Sequence, residues 1–163
     1  MLNIKKYQQS SSAPSKQCLE KAWVAVNSNL AEMNTIVNRV SCDKKFLTCA
    51  DKYRLLYFGS YLYDFYLLVE DCLLHIARAT DKWVPGSLDW RSRLIKLMQS
   101  SVPDTRPPVL STESAYLLAD YLSLFLNFHH QCSTLSASRM IKMIYNLDHL
   151  YKQLEKELTS IIK

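Results

Sequence analysis

Apolar side chains recur at steps of three and four along most of this chain, and that spacing builds one buried face on an α-helix. The first run takes in Leu19, Trp23, Val26, Leu30, Met33, Val37 and Val40. The last takes in Met140, Met143, Ile144, Leu147, Leu150, Leu154, Leu158 and Ile161. Only two glycines occur, Gly59 and Gly86, too few for the tight turns of an all-β fold. The pattern predicts an all-α protein, an up-and-down bundle of four to five helices.

Breaks in the pattern set the element boundaries. Residues 1–15 are polar and serine-rich and are expected to form a flexible leader, with residues 16–163 forming a single domain. The first helix should start at Lys16 and stop near Ser41 to Lys45. A second should run from Phe46 to Thr80, with Asp51 marking a restart or kink. Its middle, Tyr53 to Tyr66, is aromatic on most faces, which suits the centre of a bundle or a dimer interface better than a platform for stacking RNA bases. Gly59-Ser60 would let a neighbouring helix come close.

Pro85-Gly86 ends that helix, and Ser87 or Asp89 can cap a third, Trp90 to Ser101, with Leu94, Ile95, Leu97 and Met98 inward. Pro103, Pro107 and Pro108 exclude a helix from Val102 to Val109. Ser111 or Thr112 caps the fourth helix, with Glu113 in its first turn, and the fifth runs from Ser136 to Ile162.

The formal charge of +5 would suit a phosphate-bearing partner but gathers in no basic run, so it reads first as a solvated surface. The N-terminus carries no secretory signal, and no apolar run is long enough to span a bilayer. Five cysteines without a Cys-x-x-Cys pair read as reduced thiols of a cytoplasmic protein, with no zinc site and no cofactor. Asp64, Glu70 and Asp71, inside the aromatic helix, read as solvated acids ahead of the alternative of partly buried ones, and His75 as a core or interface histidine. Ser123 lacks the strand-to-helix elbow of a hydrolase nucleophile.

His129 and His130, late in the fourth helix, are the one cluster of groups titrating near neutral pH. His129 and Cys132 share a helical face, with His130 about 100° away. No further metal ligand lies nearby, and imidazolium near a helix C-terminus is favourable in its own right. No arginine precedes either histidine within six residues.

Several segments together resemble the HepT-like branch of the HEPN superfamily. They are Asp64 to Glu70 with Ile76-Ala77, Asp81 to Pro85, Trp90, Leu94 to Met98, Val102-Pro103, Arg106 to Val109, and Asp120-Tyr121. The likeness covers the chain from about Lys16 onward. It implies a dimerising helical bundle with a cleft at the subunit interface. Active members are metal-independent ribonucleases that use an arginine, then a histidine four to six residues on, often with a tyrosine two residues beyond. The histidine would activate the ribose 2′-hydroxyl, and the arginine would stabilise charge growing on the phosphate. A nucleotidyltransferase antitoxin that places AMP on the motif tyrosine is also implied.

This chain departs from that motif. Leu122, Phe125 and His129 stand at the family's arginine positions and Cys132 at its tyrosine, while His130 falls at the histidine position. The substitutions predict a catalytically degenerate protein that works by dimer and partner binding. The alternative is an active RNA-cleaving toxin with His130 or His129 as base, which would need a cation from elsewhere, such as Arg78 or Arg106.

Overall fold

In the computed structural model, residues 15–44, 52–81, 86, 88–128 and 137–161 are described. They form five helices: α1 Lys16–Asp43, α2 Lys52–Thr80, α3 Trp90–Gln99, α4 Thr112–Phe128 and α5 Ala137–Ile161. No strand occurs among the described residues; a single antiparallel bridge, Val102 to Arg106, lies in the connection between α3 and α4. The all-α bundle read from the apolar spacing is the fold observed. The expected leader, up to Pro14, and the start of the second helix at 46–51 lie outside the described residues.

Local chemistry explains most of the ends. Ser15 caps α1, its side chain accepting from the Cys18 amide. Ser111 caps α4, its Oγ accepting from the Ser114 amide at 3.1 Å. Asp89 stands at the cap of α3 but makes no side-chain cap bond; its carboxylate takes Arg93 Nε at 2.8 Å instead. The α3–α4 connection turns at Asp104, whose φ of 56° lies in the left-handed region. That strained residue is closed over by Val102 N–H donating to Arg106 O at 2.9 Å and Arg106 N–H donating to Val102 O at 3.1 Å.

Helices α1 and α2 run antiparallel, and so do α4 and α5. The start of α2 meets the end of α1 where Tyr57 donates to Asp43. The start of α4 meets the end of α5 where Ser114 donates to Glu157. Helix α2 packs against all the others, which is why its middle carries apolar groups on more than one face. Phe58, Leu62, Phe65, Tyr66, Val69, Cys72, Leu73 and Ile76 are all buried there. The stripes of α1 and α5 meet it in one continuous apolar core. Burial of that area supplies the main drive to fold, at roughly 25 cal/mol per Å² removed from water.

One buried ion pair locks the lower end of the bundle. Arg106, 5% exposed, sends Nε and Nη2 to the two oxygens of Asp81, each at 2.7 Å. Its remaining N–H groups donate to the carbonyls of Ser100 at 2.8 Å, Leu97 at 3.1 Å and Pro107 at 3.2 Å. Thr80 Oγ1 donates to Asp81 Oδ1 at 2.7 Å. The C-terminus of α2, the C-terminus of α3 and the proline-rich connection are thus tied to one guanidinium.

Candidate functional site

The sequence places its chemistry at the end of α4. Helical periodicity turns Tyr121, Leu122 and Leu124 inward and leaves Leu126 and Asn127 exposed, with Phe125 half-buried between them. Tyr121 is sealed in the core and donates its hydroxyl to the Met143 carbonyl at 3.1 Å. Burial, then the neighbouring Asp120 charge, pushes that phenol far above its ordinary value. Asp120 in turn accepts from Arg139 of α5 at 2.5 Å. Leu122 is buried and faces a groove of about 280 Å³ between α3 and α4, lined by Ile95, Ala115, Tyr116 and Ala119.

Phe125 sits in an aromatic and charged junction. Tyr63 stacks on it, ring centroids 4.7 Å apart and planes within 10°, and Tyr66 lies at 5.3 Å. The guanidinium of Arg91, from the first turn of α3, lies over the Phe125 ring at 4.7 Å and over the Trp90 ring at 4.4 Å. Such cation–π contacts are worth about 0.5–2 kcal/mol each. Arg91 Nε also stands 2.8 Å from Glu70 Oε2. The angle falls short of an aligned hydrogen bond, so the contact is one of charge.

Glu70 is buried at 7% exposure, so the reading of it as a solvated acid does not hold: its position on α2 faces α3, not water. Asp64 is exposed and Asp71 half-buried. Desolvation raises the Glu70 carboxyl above its ordinary value, partly opposed by the nearby Arg91 guanidinium and, less, by the Tyr66 hydroxyl. Tyr66 is pushed up as well, chiefly by its own burial. A buried carboxylate needs a cation, and Arg91 is the one that reaches it.

His129, His130 and Cys132 lie outside the described residues. The arginines proposed to reach them are otherwise placed. Arg106 is held by Asp81 and three carbonyls. Arg78 is exposed in the last turn of α2, about 22 Å along the helix from Tyr63 at 1.5 Å per residue. Arg91 lies far from the histidines in sequence and carries no motif, so only packing of α3 on α2 and α4 could reveal it.

Other candidates resolve into structural roles. His75 is half-exposed, its Nε2 3.3 Å from Asp71 Oδ2, and Asn29 donates to the same oxygen at 2.9 Å. His75 is thus a half-exposed histidine beside Asp71 on α2, not a core one, and it is Asn29 that ties α1 to α2 there. Cys72 is fully buried, its thiol pushed up to about 12 by desolvation, which removes it as a nucleophile at neutral pH. His149 meets Glu113 at 3.4 Å on the surface. A cleft of about 20 Å³ between Asp120, Arg139, Lys142 and Asn146 has room for about one water molecule. Ser123 lies within α4, without a strand-to-helix elbow. Among the described residues no three metal-ligating side chains come together, and no helix is long and apolar enough to cross a membrane.

The family model described as HepT-like protein matches residues 57–163. The chain belongs to the HepT-like family. The match runs from the second turn of α2 to the C-terminus and so takes in every residue of the Phe125 junction. Helix α1 precedes it, yet contributes Val26, Leu30, Met33 and Val37 to the same core. No curated protein and no solved structure matches the chain. The HEPN-type helical architecture that the sequence resembles is the one this HepT-like chain adopts.

Proposed function

We propose that this HepT-like protein descends from the ribonuclease toxins of toxin–antitoxin pairs, and that it has kept their helical bundle while losing their nuclease chemistry. It acts by binding a second copy of itself and a partner protein, of which a nucleotidyltransferase antitoxin is the kind the family suggests. One observation carries this reading. The cation beside Phe125 is Arg91, and it is already neutralised by Glu70 and packed between two rings. A scissile phosphate would have to displace a buried carboxylate to use it. Loss of a single charge-stabilising donor typically costs ~10²–10³ in rate, and Leu122 and Phe125 add none.

Dimerisation is favoured by apolar surface around the same junction. Leu67, one turn before Glu70, is 36% exposed, Leu126, next to Phe125, is 53% exposed, and Leu88, just before Trp90, is fully exposed. Together with Tyr116 and the α3–α4 groove they offer apolar area that a second subunit would remove from water.

A second reading has its own observation. Arg91 keeps part of its guanidinium open, its side chain being 29% exposed, so an active ribonuclease could use it as the relocated cation, with His130 or His129 as base. Incubation with tRNA and total RNA in the absence of metal separates the two. The degenerate reading expects no cleavage by the wild type and a dimer by light scattering. Cleavage that disappears in His130→Ala, His129→Ala or Arg91→Gln would overturn it in favour of the nuclease.

A further inference from the structure

Helix α4 buries Leu118 and Tyr121 and turns its opposite side outward. Along that outer side stand Thr112, Tyr116, Ala119, Ser123 and Leu126, at steps of four, three, four and three. This is the spacing of a seam along which one helix packs on another. None of the five is charged. Tyr116 is 72% and Leu126 53% exposed, Thr112 and Ala119 are exposed and Ser123 is half-buried, so no described helix lies across them.

The stripe matches its own reverse. Laid end to end against a second copy, it sets Leu126 against Thr112, Tyr116 against Ser123, and Ala119 against Ala119. Each large side chain then meets a small one, the condition for facing layers to interdigitate. A parallel pair would set Tyr116 on Tyr116 and Leu126 on Leu126, with gaps left at Ala119 and Ser123.

The charges beside the stripe follow the same symmetry. On the α5 side, Glu113 stands in the first turn of α4 with its side chain 63% exposed. Further along that side is Arg139, 45% exposed and anchored by Asp120. On the other side, α3 ends beside the start of α4, its Met98 carbonyl accepting from the amides of Val109 and Leu110. The exposed Lys96 lines the α3–α4 groove, and Asp89, 56% exposed, stands two turns earlier on the same face of α3. A two-fold axis that reverses α4 brings Glu113 of one copy towards Arg139 of the other. On the opposite flank it brings Lys96 towards Asp89. Unlike charges meet on both sides, as electrostatic complementarity requires.

We propose that the outer stripe of α4 is the seam of a two-fold dimer in which the two α4 helices run antiparallel and cross at Ala119. This seam rests on the dimer reading above and fixes its contact helix and register. An unrelated partner helix would not need a stripe that matches its own reverse in both size and charge, whereas a second copy does.

Sedimentation velocity over a range of concentrations, on the full chain, tests this. Wild type should sediment as a dimer. Ala119→Glu and Ala119→Lys each place two like charges face to face on the axis and should each raise the dimer dissociation constant about a hundredfold or more, with helicity by circular dichroism unchanged. An equimolar mixture of the two should dimerise again, because unlike charges then meet. Val24→Glu, at an apolar residue of α1 that is 69% exposed and off the seam, should leave the dimer intact. Ser123→Glu should weaken it, and Tyr116→Lys added in the same chain should recover part of the loss, since in the antiparallel register each new lysine meets the other copy's new glutamate. A wild-type dimer untouched by Ala119→Glu overturns the seam and leaves the dimer reading standing; a monomeric wild type overturns both. Failure of the mixture to dimerise overturns the crossing at Ala119, and a further loss on adding Tyr116→Lys overturns the antiparallel register.

Discussion

Replacing Arg106 by methionine would leave Asp81, whose side chain is 6% exposed, as a buried carboxylate with its cation gone. Methionine fills much of the same volume, so the cost is mainly electrostatic. Breaking a buried pair from one side costs about 3–5 kcal/mol, because the remaining charge stays desolvated. Three carbonyls, those of Leu97, Ser100 and Pro107, lose a donor as well. Each orphaned group can add ~1–3 kcal/mol unless water reaches it, so 3 kcal/mol is close to a lower bound. For a chain of this length the expected fall in Tm is roughly 6–20 °C, at about 2–4 °C per kcal/mol. Urea unfolding followed by circular dichroism supplies the free energy, with an unchanged m-value as the check that two-state behaviour persists. Arg106→Lys, which keeps the charge but not the fork of donors, should fall between the two. The double change Arg106→Met with Asp81→Asn should recover part of the loss, since no charge is then stranded. A loss below about 1 kcal/mol for Arg106→Met, or additive effects in the double variant, would refute the reasoning.

Three further outcomes follow from the geometry. Because burial raises the folded-state Glu70 carboxyl above its ordinary 4.5, its contribution to stability is fully present below that pH and declines as pH rises through the raised value. Thermal melts across weakly acid pH should therefore show wild type losing stability relative to Glu70→Gln on the way up; a relative gain would mean that the pairing with Arg91 outweighs desolvation. In native protein, mass spectrometry after thiol labelling near pH 8 should find Cys18 and Cys42 modified, both being exposed, and the buried Cys72 untouched; labelling of Cys72 without unfolding would contradict its placement. Phe125→Arg should restore no RNA cleavage and should destabilise by about 2 kcal/mol, since it loses the stack on Tyr63 and sets a second cation against Arg91. Metal-independent cleavage by that variant would show that only the α4 arginine was missing.

Much of the fold is legible without coordinates because it depends on neighbours in sequence. The stripes on α1 and α5 fall at residues found buried from Val26 to Val40 and from Met140 to Leu158, with Leu19, Trp23 and Ile161 half-buried, Ser111 caps α4, and the prolines lie in the connection after α3. The candidate site was only half legible. Positions 122 and 125 announce that α4 offers no arginine, since residue type is a matter of sequence alone. What fills the space beside them is not, because nothing local to Phe125 refers to Arg91 or Glu70.

The amino-acid order by itself therefore determined the helices, their faces and the absence of the family's catalytic spacing, all of which are read over one or two turns of chain. Tertiary structure alone decided which charges meet. It turned Glu70 inward, brought Arg91 from α3 to neutralise it over the Phe125 ring, and joined Arg106 to Asp81 across 25 residues. The physical reason is the same in each case: a buried charge is satisfied by whichever opposite charge the packing of helices delivers, and periodicity carries no record of that choice.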